Sequence, residues 1–229
     1  MSAHAVRTGV WFIGARGSVA TTATAGCAAV AAGLHPAAGM VTETAPFAES
    51  GLPPVASLVF GGHDTLDCPL PKRAEVLAAG GVLPYGLPSA VRSELAAADA
   101  EIRPGGPLPG DTRTDEELVT AFAADLTDFT RRNGLARTVV VNVASTEPAP
   151  APGAERLPAS SLYAAAALRA GCPYVNFTPS TGLRAPALQA AGGGGGPPPP
   201  PPPRPGPAPR SGAARRPPRR WTPGAGAGA

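Results

Sequence analysis

The chain has 229 residues and a formal charge of +3, and it contains 31 prolines and 29 glycines. Residues 192–229 carry six of the 19 basic residues and no acidic residue, so residues 1–191 hold 13 basic and 16 acidic residues. The positive charge therefore belongs to the C-terminal segment, and it does not indicate nucleic-acid binding by the preceding part. We predict one folded domain over residues 1–191 and a low-complexity, disordered segment over residues 192–229.

The cysteines and histidines give no sign of a disulfide framework or a metal site. The three cysteines, Cys27, Cys68 and Cys172, are widely spaced, which favours reduced thiols in a cytoplasmic protein. The three histidines are scattered and form no metal-ligand pattern. No signal-peptide pattern and no run of 18 apolar residues occurs, so we expect neither secretion nor a membrane span.

Short apolar runs alternate with stretches of helical periodicity along the first 177 residues. Four runs are predicted strands, namely Val10–Ile13, Ser57–Phe60, Thr138–Val143 and Pro173–Phe177. Five stretches are predicted helices, namely Ser18–Ala32, 71–80, 88–100, Thr114–Asn133 and Ser160–Ala170. The first strand is predicted to end at Gly14 and the second at Gly61 and Gly62. This alternation predicts an α/β fold, in which helices cover both faces of a parallel sheet.

The clearest predicted helix begins with a capping box. In Thr114-Asp-Glu-Glu117 the threonine hydroxyl can accept from the N–H of Glu117, whose carboxylate can accept from the N–H of Thr114. Leu118 and Phe122 then follow at helical spacing. Ahead of this helix we predict a loop over Pro104–Pro109.

A glycine-containing segment, Gly14–Thr22, joins the first predicted strand to the first predicted helix. Such a turn presents backbone N–H groups and a helix N-terminus to an anion. Gly14 permits the turn, and Gly17 lets the backbone approach a pyrophosphate. The spacing differs from G-x-G-x-x-G, and no Gly-Lys-Ser/Thr follows as in a P-loop. Two interpretations remain open, a phosphate-binding loop and an ordinary strand-to-helix turn.

Two acidic residues are candidates for binding a ribose. Nucleotide-binding folds of this type place an acid roughly 20 residues after the glycine loop. Asp64 lies just past the second strand, where it either binds a cofactor or forms a turn. Glu43 follows a stretch that cannot be placed firmly as a strand. His63 precedes Asp64, where its side chain either lies near the cofactor or is exposed to solvent, and of the two we expect exposure.

Small polar residues follow the two later strands, in the segments Asn142–Glu147 and Asn176–Thr181. Ligands of open α/β sheets bind outside the carboxyl ends of the strands, where such side chains can contact ribose or phosphate. The alternative is that these residues only cap helices and form turns.

Taken together, these segments resemble the myo-inositol-phosphate synthase family in its bacterial form. The resemblance covers residues 8–191, and His63 stands where the family has tryptophan. Four segments match the family's glycine loop and its Phe-Gly-Gly-Trp-Asp, Thr-Ala-Asn-Thr-Glu and Asn-Gly-Ser-Pro motifs, namely Gly14–Thr22, Phe60–Asp64, Val143–Glu147 and Asn176–Pro179.

The resemblance implies a Rossmann NAD domain, a sugar phosphate as substrate and a homo-tetramer. The family converts glucose 6-phosphate to myo-inositol phosphate, a step of inositol and phospholipid biosynthesis. It is an isomerase that uses NAD to oxidise the sugar and NADH to reduce the product. By the same resemblance, NAD contacts fall on Gly14, Arg16, Gly17, Ser18, Val19, Asp64, Ala144, Ser145, Thr146, Phe177 and Thr178.

The chain departs from the family after the Asn-x-x-Pro segment. The family's catalytic lysines lie downstream of that segment, whereas this chain has one lysine, Lys72, and continues into the Gly/Pro-rich segment. We therefore assign no catalytic residue, and we expect an incomplete Rossmann-like sheet that binds NAD without completing the reaction. The family's tetramer would also lack its assembly domain.

The C-terminal segment leaves two explanations open. Of its 38 residues, 35 are Gly, Pro, Arg or Ala, as a shifted reading frame through a GC-rich gene would produce. Alternatively Pro197–Pro203 with Arg204 is a proline-rich ligand for an aromatic groove. Other functions to weigh are a different NAD-dependent oxidoreductase, a nucleotide-binding regulator, and an interaction protein that acts through this segment.

Overall fold

The computed structural model describes residues 6–47, 50–148 and 156–192. Its five strands are β1 Thr8–Ile13, β2 Leu58–Asp64, β3 Ile102–Pro104, β4 Arg137–Asn142 and β5 Tyr174–Asn176. All pair in parallel, in the order β3-β2-β1-β4-β5. The chain builds outward from β1 to β3 and then crosses back to place β4 beside β1. The predicted α/β fold is confirmed, and the reversal between β1 and β4 is where such sheets bind ligands.

In the described ranges, seven α-helices accompany the sheet. They are α1 Ser18–Ala31, α2 Leu70–Ala79, α3 Leu87–Ala90, α4 Arg92–Ala100, α5 Asp115–Arg132, α6 Ala159–Arg169 and α7 Pro186–Gly192. Short 3-10 helices occur at Val41–Glu43, Ala45–Phe47, Val55–Ser57 and Gly182–Arg184. The predicted capping box is present at the start of α5, where the N–H of Thr114 donates to Glu117 Oε2 at 2.7 Å and the N–H of Glu117 donates to Thr114 Oγ1 at 3.2 Å.

The two faces of the sheet carry separate apolar cores. Because side chains alternate along a strand, Trp11 and Ile13 of β1 point to one face and Phe12 points to the other. Trp11 and Ile13 pack with the apolar sides of α5 and α6, whereas Phe12 packs with α1, α2 and α4. Helices therefore cover both faces, as predicted from the alternation of strands and helices.

The prediction that β2 ends at Gly61 and Gly62 is wrong. The strand continues through both glycines to Asp64. A Cβ at Gly62 would collide with the carbonyl oxygen of Phe12 and lie 2.6 Å from the Cβ of Ala15. Gly62 therefore permits close packing against β1 and the turn that follows it, and the strand carries Asp64 as its last residue.

Three further boundaries differ from the sequence prediction. The helix predicted over 88–100 is divided at Val91, which separates α3 from α4. Ile102–Pro104 forms the edge strand β3, which the sequence analysis missed because three residues carry too little periodicity to be recognised. Val41–Glu43 is a 3-10 helix, so Glu43 does not follow a strand.

The predicted low-complexity segment falls almost wholly outside the residues described. Gly192 is the last residue of α7, and residues 193–229, with the proline run Pro197–Pro203, lie outside the described ranges. The division between a domain and this segment stays a prediction. Within 6–47, 50–148 and 156–192, no helix is long and apolar enough to cross a membrane, and no group of three metal-ligating side chains is found.

Candidate functional site

A cleft of about 620 Å³ opens at the carboxyl ends of β1, β2 and β4. This volume lies within the roughly 300–1,000 Å³ typical of ligand sites. Residues from both faces of the sheet line it, because the loops that leave neighbouring parallel strands meet at one edge. Seven of the residues predicted to contact a cofactor line this cleft, namely Gly14, Gly17, Ser18, Val19, Asp64, Ala144 and Ser145.

The turn between β1 and α1 is held by the neighbouring strand β2. The N–H groups of Gly14 and Ala15 both donate to the carbonyl oxygen of His63, at 3.0 and 3.2 Å, and the N–H of Gly17 donates to the oxygen of Gly14 at 2.9 Å. Gly14 has a φ of +82°, and a Cβ there would lie 2.8 Å from the Cα of Ala144. Only glycine therefore fits at this point of the turn.

The N-terminus of α1 points its free backbone donors at the cleft. Gly17 is the N-cap residue, no side chain caps the helix, and no acidic residue lies in its first turn. The first N–H groups of a helix have no intrahelical acceptor, and the helix dipole adds partial positive charge there. Ser18 and Val19, which begin the helix, line the cleft. This end of α1 suits an anion such as a phosphate.

Asp64 lies at the end of β2, opposite this turn. Its Oδ2 accepts from the N–H of Arg16 at 2.6 Å and its Oδ1 accepts from the N–H of Leu66 at 2.7 Å. These two bonds fix the carboxylate beside the glycine turn and leave each oxygen with a further acceptor site for ligand hydroxyls. Glu43, the other candidate acid, belongs to a 3-10 helix and does not end a strand.

The side chain of Arg16 turns away from the cleft. Its Nε donates to Asp99 Oδ1 at 3.0 Å and its Nη1 donates to the carbonyl oxygen of Leu66 at 2.9 Å. Arg16 therefore serves the site through its backbone N–H, which holds Asp64, while its guanidinium fixes the loop after β2.

Arg73 and Tyr163 are among the residues of the cleft that the sequence analysis missed. Arg73 on α2 donates from Nε to the oxygen of Arg16 at 3.2 Å and from Nη2 to Ser18 Oγ at 3.1 Å. Tyr163 on α6 is buried, and its hydroxyl oxygen accepts from the N–H of Gly106 at 2.8 Å. Burial raises the pKa of Tyr163 to about 12, so its hydroxyl stays a donor at neutral pH. Neither residue has a local sequence signal, because both reach the cleft from helix interiors.

The ends of β4 and β5 are joined by a buried amide. Asn142 donates from Nδ2 to Asn176 Oδ1 at 3.2 Å, and its Oδ1 accepts from the N–H of Ala144 at 3.2 Å. Thr178 donates from Oγ1 to Asn176 Oδ1 at 2.8 Å, whereas Phe177 is exposed. Asn142 thereby positions Ala144 at the cleft, while the predicted contacts Thr146, Phe177 and Thr178 are not among the residues that line it.

Glu147, the last residue of the Thr-Ala-Asn-Thr-Glu-like segment, binds the start of α6. Its Oε2 accepts from the N–H of Ser160 at 3.0 Å, and its Oε1 accepts from the hydroxyl of the same serine. Its own N–H donates to Ser180 Oγ at 3.2 Å. Glu147 therefore stabilises the helix terminus next to the cleft.

The expectation that the His63 side chain is exposed is wrong. It is 1% exposed, because the extended β2 points it into the core beneath α5. Its Nδ1 accepts from Trp11 Nε1 at 3.0 Å, so the proton lies on Nε2, which donates to Asp125 Oδ2 at 3.0 Å. Burial lowers the pKa of His63, and the bond to Asp125 opposes this only in part. His63 contributes its carbonyl oxygen to the glycine turn and its ring to the core.

The strand order, the glycine turn at the β1 switch point and the acid that ends β2 define a Rossmann-like α/β fold. Residues 108–193 match the family model described as myo-inositol-1-phosphate synthase, which is a model of NAD-binding domains. The match indicates NAD as the cofactor. It confirms, over these residues, the resemblance that the sequence motifs suggested.

A solved structure shows the same fold. The chain superposes on inositol-3-phosphate synthase from Caenorhabditis elegans with a TM-score of 0.61 and 18% sequence identity, covering 79% of this chain and 46% of that protein. The chain thus spans less than half the length of that synthase. No match is found among curated protein sequences.

Proposed function

We propose that the cleft binds NAD and that the chain is the NAD-binding part of an enzyme of the inositol-3-phosphate synthase type. The bond from the Arg16 N–H to Asp64 Oδ2, at 2.6 Å, carries this proposal. It joins the acid that would bind a ribose to the turn that would bind a pyrophosphate, in one rigid unit. The family match over residues 108–193 supports the same cofactor from an independent part of the chain.

The residues of the cleft fit a dinucleotide. The N–H groups at the start of α1, with Ser18 and Val19, would hold the pyrophosphate. Asp64 would accept hydrogen bonds from ribose hydroxyls. Ala144 and Ser145, on the loop after β4, would contact the other half of the dinucleotide, and Gly14 allows that loop to approach the turn closely.

NAD, when bound, accepts a hydride from an alcohol substrate. The chain's own residues bind and orient the cofactor, and Tyr163 supplies a protonated hydroxyl at the inner wall of the cleft. By the family resemblance, the substrate oxidised would be a sugar phosphate and the overall reaction the conversion of glucose 6-phosphate to myo-inositol phosphate.

We propose further that this chain binds NAD without completing that conversion. In the family's reaction the oxidised sugar enolises and its ring then closes, and both steps need positioned acids, bases and cations. Lys72, the one lysine of the sequence, pairs with Glu75 at 3.1 Å on the exposed side of α2 and is not among the residues of the cleft. We also propose a cytoplasmic location, in keeping with three free cysteines.

Calorimetric titration of the full 229-residue chain with NAD tests the binding. We expect a saturable signal that ADP-ribose suppresses by competition, and a clear loss of affinity in Asp64→Ala. The matched control is Glu94→Ala, which removes a carboxylate on α4 that hydrogen-bonds to Ser93. A wild-type chain that stays folded and gives no heat at millimolar NAD would contradict the proposal.

A coupled assay tests the proposal that the chain does not complete the conversion of glucose 6-phosphate. Purified chain is incubated with NAD and glucose 6-phosphate, and inositol phosphate is measured after phosphatase treatment. We expect none above the level of a heat-inactivated sample. Formation of inositol phosphate by the wild-type chain, abolished in Asp64→Ala, would show that the chain completes the reaction.

A further inference from the structure

Arg73 occupies a position at the glycine turn that its role in the fold leaves unexplained. It belongs to α2, a helix that packs beside α1 and places this side chain at the rim of the cleft. Its Nε lies 3.2 Å from the carbonyl oxygen of Arg16, and its Nη2 lies 3.1 Å from Ser18 Oγ. These two bonds hold the guanidinium against the first residue of α1.

The charge of Arg73 is not neutralised within the described part of the chain. The neighbouring cations have carboxylate partners, since Arg16 pairs with Asp99 at 3.0 Å and Lys72 pairs with Glu75 at 3.1 Å. Within residues 6–47, 50–148 and 156–192, no ion pair involves Arg73. Its guanidinium has five N–H donors, of which two make the bonds to Arg16 and Ser18. A fixed, partly buried cation with donors to spare faces the cleft.

The place of Arg73 identifies the group it would meet. In Rossmann-like folds the pyrophosphate lies at the N-terminus of the helix that follows the glycine turn, which here begins at Ser18. Guanidinium groups bind phosphate oxygens through paired N–H donors, and such charge-assisted bonds are the stronger ones in proteins.

We infer that Arg73 binds the pyrophosphate of the dinucleotide directly, as a charged clamp reaching from α2 across the N-terminus of α1. The inference rests on the proposed function for the location of the ligand. It assigns Arg73 a role that Arg16, despite its place inside the glycine turn, does not have.

The test titrates the full chain by calorimetry with NAD, inorganic pyrophosphate and adenosine. The variants are Arg73→Ala and Arg73→Gln, the latter neutral but long enough to keep a donor near the Arg16 oxygen. The control is Lys72→Ala, which removes the same charge one residue away on α2. Far-UV circular dichroism and melting curves show that each variant is folded.

We expect both Arg73 variants to bind NAD and pyrophosphate at least tenfold more weakly than wild type, with adenosine affinity within twofold. Lys72→Ala should change none of the three affinities by more than twofold. Raising the salt concentration should weaken NAD binding more steeply in wild type than in Arg73→Gln, because the lost charge no longer contributes.

Two results would overturn the inference. If folded Arg73→Gln binds NAD and pyrophosphate as wild type does, Arg73 does not contact the phosphates, although NAD binding itself stands. If adenosine affinity falls by the same factor as NAD affinity, Arg73 only supports the shape of the cleft. If the folded wild-type chain binds neither NAD nor pyrophosphate, the proposed function and this inference are both overturned. If the chain binds pyrophosphate in a way that depends on Arg73 but does not bind NAD, only the proposed function is overturned.

Discussion

Replacing His63 by phenylalanine removes both hydrogen bonds of a buried imidazole while keeping an aromatic ring in the core. The ring of His63 lies 4.9 Å from that of Trp11 and 4.8 Å from that of Phe122, and phenylalanine can keep these contacts. The indole N–H of Trp11, whose side chain is 1% exposed, loses its acceptor. An unsatisfied buried donor costs about 1–3 kcal/mol. We expect the free energy of unfolding at pH 7.5 to fall by this amount.

The same variant changes the pH dependence of stability. Burial lowers the pKa of His63 in the folded state below its ordinary value of 6.5. The unfolded chain therefore takes up a proton on this residue at pH values where the folded chain does not. Its contribution to stability is complete above pH 6.5 and is lost as the pH falls below that value, at a limiting rate of about 1.4 kcal/mol per pH unit. His63→Phe lacks this component.

Urea unfolding of both proteins at pH 5.0 to 8.0, followed by far-UV circular dichroism, measures the two effects. Groups that do not contact His63 titrate alike in both proteins, so their contributions cancel in the difference between them. We expect the stability deficit of His63→Phe to be largest above pH 6.5 and to shrink as the pH is lowered. A deficit that stays constant over this range would refute the assignment of a neutral buried imidazole. Wild-type stability of the variant at pH 7.5 would refute the bond to Trp11.

Three other predictions concern the edge of the sheet. Asp64→Asn should bind NAD about 10- to 100-fold more weakly in calorimetry, because charge-assisted hydrogen bonds contribute about 1.5–3 kcal/mol and the amide nitrogen cannot accept; equal affinity would remove Asp64 from the site. Gly14→Ala should lower the melting temperature, since a left-handed alanine costs about 1–2 kcal/mol and its Cβ would lie 2.8 Å from the Cα of Ala144. The control Gly26→Ala should not lower it, because a Cβ at position 26 would have no atom within 4 Å. Glu147→Ala should lower the free energy of unfolding by about 0.5–2 kcal/mol through the lost bonds at the start of α6, and equal urea midpoints for variant and wild type would contradict that role.

Local sequence signals predicted much of the fold. The capping box at Thr114 needs only residues three apart, and β1 needs only an apolar run ended by a glycine, so both follow from short-range chemistry. Strand β3 was missed because its three residues are held by pairing with β2, which is a non-local interaction. The glycines at 61 and 62 suggested a strand end, since nothing in the sequence shows how closely Phe129 approaches Gly61 and Phe12 approaches Gly62.

The amino-acid sequence by itself determined the alternation of strands and helices, the glycine turn and the acid after the second strand. Each depends on residues close together in the chain, whose backbone preferences are local. Only the tertiary structure decided which side chains share the cleft. Arg16 turns outward to Asp99, while Arg73 arrives from a helix more than 50 residues further along the chain. Which of the two arginine side chains lies at the cleft depends on how α2 packs beside α1, and helix packing is set by side chains distant in sequence.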